Sequence, residues 1–156
     1  MNDSWVKSPD KIEIIELINR FGMSIDLRDW SSFRSLFVEQ VKFDYSSIGE
    51  VAGILSADDI ADTARQDLGG FQATQHLITN HLIEIENNTA NAHAHVRAIH
   101  FLPNKAKDPV LEMGGYYSAG FTLINSHWKI KSWKFDLLWS SGDLELFELA
   151  KQIEFG

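Results

Sequence analysis

Apolar residues recur at helical spacing through the first part of the chain and alternate with polar ones through most of the rest. Ile14, Ile15, Leu17, Ile18, Phe21 and Ile25 lie on one side of a 3.6-residue period. Ahead of them, Ser8-Pro9-Asp10 offers an N-cap, a proline for the first helical position and an acid for the first turn. Asp29 caps a second, short helix carrying Trp30, Phe33, Leu36 and Phe37. Val41, Phe43 and Tyr45 then alternate with Lys42, Asp44 and Ser46 as a strand does, and Gly49 and Gly53 mark a loop after it. Ser56-Ala57-Asp58-Asp59 starts a third helix, which runs to about Leu68 and stops at Gly69-Gly70.

Beyond that point the period changes to two. The stretches from about Phe71 to Glu86, Ala90 to Leu102, Leu111 to Ile124 and His127 to Trp139 are rich in β-branched, aromatic and alternating residues. Asn87-Asn88 and Asn125-Ser126 are tight-turn signals between neighbouring strands, and 103–109 is a polar loop. A last amphipathic helix, Leu144 to Ile153, follows Gly142-Asp143. Helices first, then long antiparallel strands, then a short helix predict one α+β domain over residues 1–156. Its helices pack on one face of a curved meander sheet.

Composition narrows the function without naming it. The 156-residue chain has no cysteine, which removes disulfides, thiolate catalysis and cysteine-ligated zinc. A net charge of −8 and the absence of any basic cluster argue against a nucleic-acid partner. No stretch approaches the roughly 20 apolar residues of a membrane span, and MNDSWVKSPDK lacks the apolar core of a secretory signal. The expectation is a cytoplasmic protein acting on a small molecule. There is no glycine loop to cradle a phosphate.

Strand parity sorts the candidate chemistry, because residues two apart share a face. In Ala92-His93-Ala94-His95-Val96-Arg97-Ala98 the small apolar set points inward, leaving His93, His95 and Arg97 outward. His100 has the inward parity and ends an apolar stripe. On the preceding strand His76 shares its parity with Ile78, Asn80 and Leu82. A hairpin turning at Asn87-Asn88 makes His76 and His100 cross-strand neighbours, with Cβ atoms roughly 5 Å apart. Each candidate also has a plain structural reading. A histidine on an apolar strand face is usually a hydrogen-bonded core residue, Asp26 near a helix end can be a surface acid, and Tyr45 can be packing with a polar handle. Trp128, Trp133 and Trp139 read as core and interface. His93-x-His95 could chelate zinc but lacks an evident third ligand, so no metal is expected.

The segments Ile25-Asp26-Leu27-Arg28-Asp29-Trp30, Phe43-Asp44-Tyr45, Gln75-His76-Leu77-Ile78, Trp128-Lys129-Ile130 and Asp136-Leu137-Leu138-Trp139, in that order, resemble scytalone dehydratase. That enzyme sits within the SnoaL-like group of the nuclear transport factor 2-like, or cystatin-like, fold. The resemblance implies a cone-shaped domain whose pocket holds Asp26, Tyr45, His76 and His100 as catalytic residues. It places Ser118 at a pocket serine, Ile25 where the family has a second tyrosine, and Gly120 where it has an asparagine. Ile25, Trp30, Asn80, Ser118 and Gly120 are then the substrate-binding set, and loss of the asparagine enlarges the pocket.

The implied reaction is elimination of water from a small hydrophobic cyclic hydroxyketone, without metal or organic cofactor. In that reading Asp26 orients His100 as base, His76 protonates the leaving group and Tyr45 polarises the carbonyl. The alternatives are an isomerase or polyketide cyclase, or a non-catalytic small-ligand module on the same fold. The family's habit of associating through the sheet implies a homo-oligomer, with a trimer favoured and a dimer the alternative.

Overall fold

The structure, a computed structural model, describes residues 8–153. The reading of the extreme N-terminus lies largely outside that range. Helix α1 spans Pro9–Asp26 and buries Ile14, Ile18, Phe21 and Ile25, the face its periodicity predicts. Ser8 holds the N-cap position without a side-chain hydrogen bond. Helix α2, Trp30–Ser35, is capped by Asp29, whose carboxylate accepts the Ser32 N–H, and α3, Ala57–Leu68, by Ser56 accepting the Asp59 N–H. Both caps were legible in the sequence. No helix among the described residues is long and apolar enough to cross a membrane.

Six strands form one mixed sheet: β1 Phe37–Asp44, β2 Ala52–Ser56, β3 Ala73–Glu86, β4 Thr89–Phe101, β5 Val110–Ile124 and β6 His127–Ser141, in the order β2-β1-β6-β5-β4-β3. The segment after Gly49 carries a strand, β2, that the glycine pattern had hidden. Strand β1 runs parallel to β6, and every other neighbour is antiparallel. A short final helix, α4 (Leu146–Lys151), closes the element order. Phe21 of α1 stacks on Trp133 of β6 at 3.9 Å and meets Phe33, Phe37 and Tyr117 edge-on, so helix and sheet share one aromatic core. A smaller cluster of Phe71, Leu102, Leu111, Leu146 and Ala150 seats α4 against the end of the sheet.

The β3–β4 hairpin departs from the register expected of it, and the departure makes the site. From the turn outward, Glu86 faces Thr89 and Ile83 faces Ala92. Continued unbroken, that ladder would turn His76 to the outer face. A bulge intervenes: Asn80, at φ 58°, and His81 together occupy the space opposite Ala94. Beyond it the parity of β3 is reversed, so Thr74, His76 and Ile78 point inward while Leu82 is 73% exposed. His76 therefore pairs with Ala98, and His100 with Thr74. The two histidines are diagonal neighbours on the inner face rather than directly opposed, and Asn80 and Leu82 do not share the face of His76.

Candidate active site

Between α1, α3 and the inner face of the sheet lies a cavity of about 90 Å³, walled mainly by apolar side chains. Phe21 and Ile25 come from α1, Ile60, Ala64 and Leu68 from α3, and Met113, Tyr117 and Phe135 from β5 and β6. Phe147 of α4 reaches the same space, so the C-terminal helix contributes a wall. Tyr45, His76 and His100 all line it.

Asp26 pairs with His76, not with His100. Its carboxylate lies 2.7 Å from His76 Nδ1 and also accepts the His76 backbone N–H at 2.8 Å. Burial alone would raise the Asp26 carboxyl, but the hydrogen bonds and charge of His76, with the Thr74 hydroxyl, hold it below the ordinary carboxylate range. An ionised carboxylate fixes the proton on Nδ1, so the neutral ring carries its lone pair on Nε2. Gly22, one helical turn before Asp26, permits this approach: a Cβ there would stand 3.0 Å from the His76 Cβ. Any larger residue there would crowd His76 and Ile78.

His100 is held by a different group. Its Nδ1 lies 3.2 Å from the Leu111 carbonyl, which only accepts, so Nδ1 carries the hydrogen and Nε2 is again the lone-pair nitrogen. Burial, reinforced by His76, lowers its pKa to about 4. At neutral pH it is an uncharged acceptor, with its ring 6.2 Å from that of His76 and packed against Phe71 and Phe147. The expected pairing of Asp26 with His100 is thus corrected: Asp26 orients His76 instead.

Behind Asp26 stands a pair that the sequence did not flag. Thr74 donates its hydroxyl to Asp26 at 3.0 Å. Arg28 donates to the Thr74 hydroxyl at 2.8 Å and to the Ile25 and Phe71 carbonyls at 2.8 and 3.0 Å. To do so it adopts φ 59°, a left-handed conformation unusual for a non-glycine residue. Thr74 could have been found two residues before His76 by parity; Arg28 had no comparable signal. Tyr117, inward by the same parity as Ala119 and Phe121, was also missed. It faces Tyr45, and burial drives both phenols above the ordinary tyrosine range, Tyr45 against the opposing pull of Tyr117 and Trp133. Both remain hydroxyl donors at neutral pH.

The substrate-binding set divides. Ile25 lines the cavity. Trp30 packs at the core margin, edge-on to Phe33, and is not part of the wall. Asn80 sits at the bulge, on a surface groove with Leu82 and His95. Ser118 and Gly120 belong to the outer face: Ser118 meets His93 Nδ1 at 3.2 Å, and the space a Cβ at Gly120 would take is filled by the Ser132 hydroxyl. Gly120 therefore does not enlarge the pocket. Among the described residues no cluster of three or more His, Asp or Glu side chains is arranged to hold a metal.

The chain as a whole is similar to known proteins. A solved structure from Kribbella flavida, the protein Kfla4162, is 28% identical and superposes with a TM-score of 0.81 over 91% of this chain and 97% of that one. A Novosphingobium aromaticivorans protein that carries scytalone dehydratase in its name is 20% identical, with a TM-score of 0.74 over 85% and 86%. A hexachlorocyclohexane dehydrochlorinase, LinA-type3 from Novosphingobium barchaimii LL02, is 15% identical, with a TM-score of 0.69 over 94% of each chain. At such identities the last two likenesses show shared fold, the cystatin-like, nuclear transport factor 2-like arrangement of helices on a curved sheet. The model of the SnoaL-like domain matches residues 7–134, and the chain belongs to that family.

Proposed function

We propose that this protein is a cofactor-independent lyase that removes water from a small hydrophobic cyclic hydroxyketone, with His76 as its base. One observation carries the reading: Asp26 grips both the ring and the backbone of His76 and leaves Nε2 as the free nitrogen of a ring that lines an apolar cavity. A carboxylate-oriented imidazole is made effective as a general base by its position.

In this scheme His76 Nε2 takes the proton beside the carbonyl, and the electrons of that C–H bond become the new C=C. The C–O bond of the β-hydroxyl breaks, and the departing oxygen recovers a proton from the His76 imidazolium and leaves as water. The Tyr45 and Tyr117 hydroxyls donate to the carbonyl oxygen as it gains charge. His100 Nε2 accepts a hydrogen bond from a substrate hydroxyl. It supplies no proton there, because its own hydrogen faces Leu111. The scheme needs only one acid–base group, which also makes isomerisation a live second reading, since the same imidazolium can return its proton to a different carbon. The fold neighbours whose names denote a dehydratase and a dehydrochlorinase support elimination.

The test is product identification. The purified chain is incubated with a panel of cyclic hydroxyketones and each mixture is analysed by mass spectrometry. A product lighter by one water supports the lyase; a product of unchanged mass but altered retention replaces it with an isomerase. No change with any member contradicts both.

The exposed Leu77, Leu82, Tyr116 and Trp139 support a companion reading, that copies of the chain associate through the outer sheet face as a dimer or trimer.

A further inference from the structure

The polar groups of the cavity are unequally distributed between donors and acceptors, and its fixed charge has one sign. Two carboxylates line it, Glu50 after β1 and Asp67 on α3, and no lysine or arginine does. Asp67 shares the α3 face of Ile60, Thr63 and Ala64, and its side chain is 23% exposed. Lys151 of α4 approaches it at 3.5 Å, but the same ammonium lies closer to Glu148, at 3.1 Å. Burial raises the Asp67 carboxyl against the opposing pull of Lys151, and the Glu50 charge adds to the rise, so the two carboxylates feel each other. Arg28, half-buried behind Asp26, commits its guanidinium to Ile25, Thr74 and Phe71 and is not a wall residue.

The uncharged polar groups add to the bias. His76 and His100 each present an Nε2 lone pair, and His100 is 1% exposed. The donors are hydroxyls, on Tyr45, Tyr117 and Thr63. A ligand carboxylate or phosphate would leave water for an apolar space, meet two carboxylates, and find no cation among the lining residues to replace its hydration.

We infer that the cavity selects uncharged or cationic ring compounds bearing hydroxyl or amine hydrogens and rejects carboxylates and phosphate esters, with Glu50 and Asp67 as the specificity-determining residues. The inference rests on the reading of this cavity as the substrate site and goes beyond it in naming the charge class admitted. Rejection is achieved by an unfavourable group rather than by a lost favourable one.

Three matched probes test it on the full chain: resorcinol (neutral), benzylamine (cationic) and benzoate (anionic). Each is titrated while the imidazole NMR signals of His76 and His100 are followed. Resorcinol and benzylamine are expected to move both signals, with benzoate binding at least about tenfold more weakly than resorcinol. In Glu50→Gln, a change at an exposed side chain that leaves folding untouched, the gap narrows. In the double variant with Asp67→Asn it closes to within about threefold. Benzoate binding the wild type as well as resorcinol, or a gap that both variants leave intact, overturns the inference while sparing the cavity. If none of the probes moves either histidine signal, the reading of the cavity as a ligand site fails, and the inference with it.

Discussion

At the scale of the residue, the decisive fact is that two histidines in one cavity have been given different surroundings. His76 is tied to a carboxylate and His100 to a carbonyl, and burial holds His100 uncharged at neutral pH. The His100 pKa falls from about 6.5 unfolded to about 4 in the folded protein. The unfolded chain therefore binds the extra proton first as pH drops. The stability this residue contributes is complete above pH 6.5 and is lost as pH falls toward 4. The expected cost over that window is about 3 kcal/mol. Urea unfolding at pH 7 and pH 4, wild type against His100→Gln, checks it: the variant should lose less on acidification. Equal losses would show that His100 is not the proton acceptor. Arg28 gives a second residue-level test. Its left-handed backbone is compatible with glycine, but its three hydrogen bonds are not replaceable. Arg28→Gly should destabilise by about 2 kcal/mol despite relieving the backbone, and a neutral result in thermal unfolding would contradict that account.

At the scale of the element, a bulge and a glycine bring the dyad together. The bulge at Asn80 turns His76 inward, and Gly22 lets α1 lie close enough for Asp26 to reach it. Asn80→Gly should leave stability nearly unchanged because φ 58° suits glycine, whereas Asn80→Val should cost about 1–2 kcal/mol. Denaturant midpoints decide between them, and equal midpoints would remove the bulge from the argument. Gly22→Ala should keep the fold, gaining helix propensity while crowding His76, and reduce turnover by roughly tenfold to a hundredfold. The bulge also marks the limit of what the sequence revealed. Helix faces, the caps at Asp29 and Ser56, and four long strands were legible because each is a local pattern. An extra residue in β3 has no period, so extrapolation from the Asn87-Asn88 turn gave the wrong register for His76 and His100. It still placed both histidines inside, because the errors in register and in parity offset each other. Ser118 and Gly120 could have been placed outside from the chain alone. Tyr117, Ala119 and Phe121 alternate with them and are the buried, inward set.

At the scale of the whole molecule, one aromatic core supports both the fold and the floor of the cavity. Phe21 stacks on Trp133, is 1% exposed and also lines the cavity, so Phe21→Ala should cost about 3–5 kcal/mol and enlarge the site at the same time. Calorimetry reads the first effect, and a loss well under that range would mean the core relaxes into the gap. The helices hold one carboxylate against the sheet, the sheet supplies the imidazoles and a phenol, and α4 adds a wall through Phe147. The account therefore stands on which histidine Asp26 serves. The most direct measurement is the rate of water loss from a cyclic hydroxyketone by the wild type, His76→Gln and His100→Gln under identical conditions. The account predicts a fall of about 10²–10⁴-fold for His76→Gln and a smaller one for His100→Gln. His76→Gln within a few-fold of wild type, with the large loss at His100 instead, would contradict it.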